Sequence, residues 1–184
     1  MIEASLRERV LAWRDQDPDV VTVAALEDLL ARADAGDESA LTELSSAFAG
    51  PLAFGTAGLR GTMYVGLHNM NRHVIRWATQ GFANVIRAEG EEAMKKGVAI
   101  CMDCRNHSME FARAAACVMA RNGITVKLFE SLRPTPELSF AVREYGCEAG
   151  INVTASHNPK EYNGYKVYWS DGAQLPPQHA AAIA

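Results

Sequence analysis

Ser156 sits in Thr154-Ala155-Ser156-His157-Asn158-Pro159, and Asn163-Gly164-Tyr165-Lys166 follows shortly after. A hydroxyl among small residues, a histidine and a lysine, placed directly after an apolar run, suits a loop that carries and passes on a phosphoryl group. It does not suit hydrolase chemistry. On an extended chain Ser156 and His157 point to opposite sides, a triad partner must reach the hydroxyl, and the Gly-x-Ser-x-Gly elbow is missing. A serine without a local base is a poor nucleophile, yet once phosphorylated it needs no base to serve as a phosphate donor. The plainer alternative is a turn in which Ser156 bonds its own backbone ahead of Pro159.

A second segment, Phe54-Gly55-Thr56-Ala57-Gly58-Leu59-Arg60-Gly61, points to the same chemistry. Glycines at every third position leave the backbone free to take positive φ and turn N–H groups inward as an anion cradle, and Arg60 adds a planar fork suited to phosphate oxygens. Neither Gly-x-Gly-x-x-Gly nor a Walker A ending is present, so a nucleotide is not indicated. Taken alone, the segment reads equally as a glycine-rich turn before a hairpin.

These residues must be held by an α/β framework. Val98–Met102, Ile124–Phe129 and Ala149–Val153 are apolar strand runs that end in Asp103-Cys104-Arg105, Arg133-Pro134-Thr135 and the serine loop. Helical patterns over Ser108–Arg121 and Pro136–Tyr145 separate them, each closed by a glycine, and Arg72–Glu89 is an amphipathic helix with Val74, Ile75, Ala78, Phe82, Val85 and Ile86 on one face. Strands alternating with helices predict right-handed crossovers and a mostly parallel mixed sheet in a three-layer α/β/α domain, with all three polar strand ends on one edge. Open sheets of this kind bind ligands there. Residues 1–50 read as a helical N-terminal extension, with helices over Ile2–Trp13, Thr22–Ala35 and Glu38–Phe48. The extension either packs on the main domain or contacts a partner, and sequence does not choose.

Gly55-Thr56-Ala57-Gly58-Leu59-Arg60, Asp103-x-Arg105, Pro134-Thr135-Pro136, the Ser156 loop and Asn163-Gly164-x-Lys166 occur in this order over residues 54–175. Together they resemble the α-D-phosphohexomutase family, which includes phosphoglucomutases and phosphomannomutases. The Arg60-Gly61 ending and the helical preamble are most similar to the phosphoglucomutase/phosphopentomutase branch, which also contains glucose-1,6-bisphosphate synthases. The resemblance implies that residues 51–184 are the phosphoserine-bearing first domain. It also implies that Ser156 gives its phosphoryl group to a sugar monophosphate and regains one from the resulting bisphosphate. The phosphate on Ser156 would then ligate Mg²⁺, and glucose-1,6-bisphosphate would act as activator. Lys166 matches a lysine beside the reacting hydroxyl, either a proton acceptor, if burial and cationic neighbours lower its pKa, or a charge clamp. Arg60 and Thr56 match residues lining the cleft, and His157 and Asn158 match neighbours that position the phosphoserine and substrate.

Structural readings stand beside these roles. Lys166 lies in Tyr165-Lys166-Val167-Tyr168-Trp169, where alternation places a lysine on the solvated face of a strand. Asp103 and Arg105 suit bracing of the serine loop, and Thr135, Pro136 and Glu137 read as cap, first turn and dipole partner of a helix. Where the family has a glycine and an aromatic, this chain has Cys101-Met102, so Cys101-x-x-Cys104 and His107 have the spacing of half a zinc site or a redox pair. Strand alternation would separate the two thiols, and the default for Cys101, Cys104, Cys117 and Cys147 is a reduced, buried small hydrophobe.

The chain has 184 residues, 48% of them hydrophobic, enough for one core with an appendage. No apolar run is long enough to span a bilayer and residues 1–9 lack a signal-peptide core, so a cytoplasmic location without membrane partners is expected. Residues 1–50 hold 4 basic and 11 acidic side chains, and the remainder 14 and 11. A mildly positive main domain suits an anionic sugar phosphate, whereas a nucleic-acid partner would need clustered bases. The family's later domains carry an Asp-Gly-Asp-x-Asp metal loop, a sugar-binding loop and a phosphate-binding Arg-x-Ser-Gly-Thr, none of which occurs here. The chain is therefore expected to be the first domain of a longer mutase, inactive by itself and partnered by the remaining domains. A non-catalytic sugar-phosphate-binding or interaction domain is the alternative. The sugar and the oligomeric state are not legible.

Overall fold

The computed structural model describes residues 2–55, 58–175, 180 and 183. Three helices open the chain: α1 (Ala4–Gln16), α2 (Val20–Asp34) and α3 (Glu38–Ala47). Asp19 and Asp37 start the second and third because each carboxylate accepts backbone N–H groups of the first turn, from Val21 in one case and from Ser39 and Ala40 in the other. The Asp19 cap moves the start of α2 from the Thr22 that apolar periodicity suggests to Val20, while α3 starts at Glu38 as expected.

The main domain continues with β1 (Gly58–Thr62), α4 (Arg72–Ala88), α5 (Glu91–Lys96), β2 (Val98–Met102), α6 (Ser108–Arg121), β3 (Val126–Leu128), α7 (Thr135–Glu144), β4 (Ala149–Val153) and β5 (Tyr162–Trp169). The strands form one sheet in the order β1-β5-β4-β2-β3. β2 pairs in parallel with β3 and β4, while β5 is antiparallel to both β4 and β1 and is the reversed strand. A mixed α/β sheet results. The second apolar run, Ile124–Phe129, is shorter as a strand than its sequence extent, because only residues 126–128 find a partner in β2 at the sheet edge. The short α5 has no apolar stripe to announce it, only acids in its first turn and lysines in its last, the charge order that complements the helix dipole.

Alternation divides the side chains of the central strands between two layers. Val98, Ile100 and Met102 of β2 and Ala149, Ile151 and Val153 of β4 join Phe82 and Ile86 of α4 and Phe111 and Ala115 of α6 in one core. Ala99 and Cys101 face the other way, against Leu138 and Val142 of α7, Cys147 and Tyr168. Both β2 and β4 are buried along their whole length, as expected of strands covered on both faces.

The N-terminal helices belong to the first of these cores: Leu6, Val10, Trp13, Leu26, Leu44 and Phe48 are buried in it. Of the two options left open by sequence, they pack on the main domain. Trp13 is the point of attachment, with edge contacts to Phe48, His73 and Trp77 at centroid distances of 6.0, 4.9 and 6.0 Å. His73 Nε2 lies 3.1 Å from the buried Asp17 carboxylate in an approach that lacks hydrogen-bond geometry. No helix among the described residues is long and apolar enough to cross a membrane.

Candidate functional site at the carboxyl edge of the sheet

β4 runs directly into the serine loop, and β2 into Asp103–Arg105, so the parallel register of these strands brings the two segments side by side. Ser156 is exposed and takes φ of +59°, in the left-handed region that β-carbon-bearing residues seldom occupy. Its backbone N–H donates to Thr154 Oγ1 at 3.0 Å. The turn bonding that sequence offered as an alternative for Ser156 is thus done by Thr154, two residues earlier, which leaves the Ser156 hydroxyl facing outward. Thr154 was not singled out in sequence, although a threonine at that spacing is the signal of such a turn.

Arg105 fixes the loop. Its guanidinium donates to the carbonyls of Ser156, Asn158, Pro159 and Tyr162 at 2.9, 2.6, 2.7 and 3.0 Å. Asp103 Oδ2 faces its Nε at 3.3 Å, while Asp103 Oδ1 accepts from the Arg105 backbone N–H and the Ser108 hydroxyl. A further buried residue, Asn163, donates to Ser108 Oγ and to the Asn106 carbonyl, each at 3.0 Å. The bracing role read for Asp103 and Arg105 is therefore a chain of hydrogen bonds from β5 through α6 to the serine loop. Asp103 does not cap α6, whose N-cap position is His107 at φ +60° with no side-chain cap bond.

The remaining site residues are brought together unevenly. Ser156, His157 and Asn158 line a groove of about 930 Å³ with Asp103, Arg133 and Thr135. Arg60, on β1, donates from Nη1 to Asn158 Oδ1 at 3.1 Å. Lys166 lies on β5 opposite Asn152 of β4, on the sheet face shared with Arg60, and does not line the Ser156 groove. It is half-buried; desolvation, and then the charge of Arg60, lower its pKa below the ordinary lysine value, while Asp103 pulls it up. Thr56, read as a cleft residue, lies outside the described residues. A larger groove of about 1020 Å³ lies between α3, residues 62–69 and the Lys160–Glu161 corner, so size alone does not locate the chemistry.

Four expectations need correction. The extended-chain premise for separating Ser156 from His157 fails, because the left-handed turn at Ser156 brings its Oγ to 3.4 Å from His157 Nδ1. That separation is loose, and among the described residues no carboxylate orients the imidazole. The glycine segment does not turn all its N–H groups toward an anion: Gly58 has φ of +128°, but Gly55 and Gly58 bond each other's backbone at 2.9 and 3.3 Å, and Gly61 is inside β1. Thr135 is not a helix cap. Pro134 holds the N-cap position, and the Thr135 hydroxyl accepts from the buried Asn152 amide at 2.8 Å. Of the cysteines, Cys101 and Cys147 are buried, whereas Cys104 and Cys117 are exposed. Burial pushes the Cys101 thiol up to about 11.

The glycines of the two motifs have a shared cause. A β-carbon on Gly164 would stand 2.5 Å from the Thr154 carbonyl oxygen and 3.0 Å from that of Leu59, and one on Gly58 would meet the Tyr165 carbonyl at 1.9 Å. β1 and the start of the serine loop close on β5 from its two sides, and only hydrogen fits between.

An open α/β sheet with an outward, left-handed serine and flanking cations at its carboxyl edge is the arrangement expected of the phosphosugar-mutase class that the motifs resemble. Residues 51–184 match the family model "Phosphoglucomutase/phosphomannomutase, alpha/beta/alpha domain I". The chain belongs to the α-D-phosphohexomutase family and contains its N-terminal domain. It is 39% identical to a phosphopentomutase of Pongo abelii over 99% of its length, and 46% identical to a phosphoglucomutase of Staphylococcus aureus (strain USA300) over 72%. It spans 30% and 24% of those two proteins. A crystal structure from Thermus thermophilus, provisionally assigned as a phosphomannomutase, superposes with a TM-score of 0.66 at 32% identity, over 72% of this chain and 29% of that one.

Proposed function

We propose that Ser156 is a reversible phosphoryl carrier and that the longer protein interconverts a sugar 1-phosphate with its 6-phosphate, or a pentose 1-phosphate with its 5-phosphate. In the forward half-reaction the phosphoryl group leaves Ser156 Oγ for the free sugar hydroxyl, whose proton is taken by a base while Ser156 Oγ gains a proton and becomes the free hydroxyl; the return half-reaction reverses both proton movements. In the return half-reaction the other phosphate of the bisphosphate passes to Ser156 Oγ. The observation that carries this reading is the exposed, left-handed Ser156 on a loop whose carbonyls are gathered by one guanidinium. With those carbonyls drawn back to Arg105, the partial negative charges nearest the hydroxyl are turned away from an incoming phosphate.

Arg60 and His157 stabilise the transferring group, and Asn158 fixes Arg60 through its side-chain bond. Thr56 and Lys166 would contact the sugar phosphate once the groove is closed by further domains. The lowered pKa of Lys166 favours a proton-accepting role over that of a permanent clamp. Mg²⁺ supplies charge neutralisation at the transferring phosphoryl group when bound. Among the described residues no three or more His, Cys, Asp or Glu side chains form a metal site, and Asp103 is already engaged by Arg105 and Ser108. The phosphate ester on Ser156 would on this reading be the ligand this chain contributes to the ion, and the other ligands would come from a later domain. On this reading residues 1–184 alone turn over negligibly, for want of both charge stabilisation and closing walls.

The test is incubation of the full-length protein with glucose-1,6-bisphosphate labelled in its phosphates. Label retained on Ser156 and absent from Ser156→Ala is expected. No incorporation in the wild-type protein would return the domain to a non-catalytic sugar-phosphate binder.

A further inference from the structure

The serine groove is not the one concentration of cationic groups at this edge. The first turns of α4 and α6 lie together, and between them runs a groove of about 550 Å³ lined by Arg72 and Arg76 from α4, by Glu110 and Arg113 from α6, and by His107 and Arg105 ahead of it, the last of which it shares with the serine groove. Ser156, His157 and Asn158 are not part of its wall.

Its charge is unbalanced. Arg76 and Arg113 are exposed, and among the described residues neither has a hydrogen bond or an ion-pair partner. Arginines 14, 32, 105 and 133, by contrast, each sit against a carboxylate. Arg72 has only a loose approach to Glu110 at 3.8 Å, and the second oxygen of that same carboxylate is 2.9 Å from His107 Nδ1. Apart from Arg105, which has Asp103, the guanidinium groups of Arg72, Arg76 and Arg113 thus share one acid, which a histidine also engages. Arg72 and Arg76 are one turn apart and stand in a row along α4, with Arg113 across the groove. The positive ends of both helices add to the potential there. A planar fork binds phosphate oxygens two at a time, so a row of forks facing another suits more than one phosphate. The volume is that of a small-molecule site.

We propose that this groove is a second anion site, adjoining the Ser156 groove at Arg105 but facing away from Ser156, and that it binds a molecule carrying two phosphate groups held close together. Arg76 and Arg113 are its principal ligands and Arg72 joins them by releasing Glu110. The same chemistry is presented by a soluble diphosphate and by the headgroup of a phosphorylated inositol lipid.

The chain is titrated with inorganic pyrophosphate by calorimetry at fixed ionic strength, as wild type, Arg76→Gln/Arg113→Gln and, matched for charge, Arg9→Gln/Arg121→Gln. The groove variant is expected to bind pyrophosphate about tenfold more weakly or worse, from the loss of two charge-assisted contacts. The matched control keeps the wild-type affinity, and so does Arg60→Gln/Lys166→Gln, which alters only the serine side. All four side chains in the first two variants are exposed, so each is checked for an unchanged melting temperature. Equal weakening in the matched control would reduce the effect to overall charge and overturn the proposal, as would an unchanged affinity in the groove variant or loss of binding only in Arg60→Gln/Lys166→Gln. Sedimentation with vesicles of phosphatidylcholine containing phosphatidylinositol 4,5-bisphosphate identifies the source. Retention that Arg76→Gln/Arg113→Gln abolishes assigns a lipid headgroup, and pyrophosphate binding without retention assigns a soluble diphosphate.

Discussion

Arg105→Ala removes the side chain that gathers the carbonyls of the serine loop. Four carbonyls lose a charged donor at 2.6 to 3.0 Å, and Asp103, whose side chain is 25% exposed, loses its cation. A hydrogen bond to a charged group contributes about 1.5–3 kcal/mol, but loop carbonyls this close to the surface can turn to water, so the low end applies and the contributions do not add fully. Together with the stranded carboxylate, the loss is about 3–5 kcal/mol. For a domain of this size that corresponds to a fall in melting temperature on the order of 10 °C. Arg105→Lys should recover little, because an ammonium on a flexible stem cannot address four carbonyls at once. Urea denaturation of the chain measures the first quantity, and the rate of label transfer from glucose-1,6-bisphosphate to Ser156 in the full-length protein measures the second, expected to drop about 100-fold when the left-handed turn is no longer held. If Arg105→Ala unfolds within about 0.5 kcal/mol of wild type and takes up label at an undiminished rate, the clamp reasoning is wrong.

Gly164→Ala places a methyl 2.5 Å from the Thr154 carbonyl and 3.0 Å from that of Leu59, so a loss of about 1–3 kcal/mol and slower labelling of Ser156 are expected, with denaturation and the labelling assay as the measurements. Lys166 has its folded-state pKa lowered, mainly by desolvation, so its charged form is disfavoured at neutral pH and that penalty fades as pH rises through its folded pKa toward its unfolded one. Lys166→Met should accordingly be more stable than wild type at pH 7 by less than about 1 kcal/mol, and the difference should shrink in alkali, which paired urea titrations would detect or exclude. With a thiol reagent at pH 8, Cys104 and Cys117 should react at once, while Cys101, its pKa raised to about 11 by burial, and Cys147 should react only on unfolding. Four prompt thiols would contradict the burial described.

Much of this was legible in local order. Ser108–Arg121 reads as a helix from its apolar spacing and its Asn122-Gly123 closure, and it is α6 to the residue. The runs at Val98–Met102 and Ala149–Val153 are β2 and β4, because a strand buried on both faces must be apolar throughout. The motif order around Ser156 was enough to name the family, since residue types and their order are read along the chain without its fold. Other features have no local signal. Gly58 looks like part of a phosphate cradle, yet its smallness, like that of Gly164, answers to neighbouring backbone that a β-carbon would meet within 3 Å. The α5 helix carries too few apolar residues for periodicity to show it.

By itself the sequence determined the kind of elements, the place of the serine at a strand end and the chemistry that the loop can carry, because these depend on residue types and spacing along one strand or helix. Only the tertiary structure decided that Ser156 turns left-handed, that Arg105 gathers carbonyls from residues up to 57 positions away, and that Arg76 and Arg113 share a groove. These are relations between segments joined by the sheet register and by helix packing. No spacing within either segment encodes the distance between them.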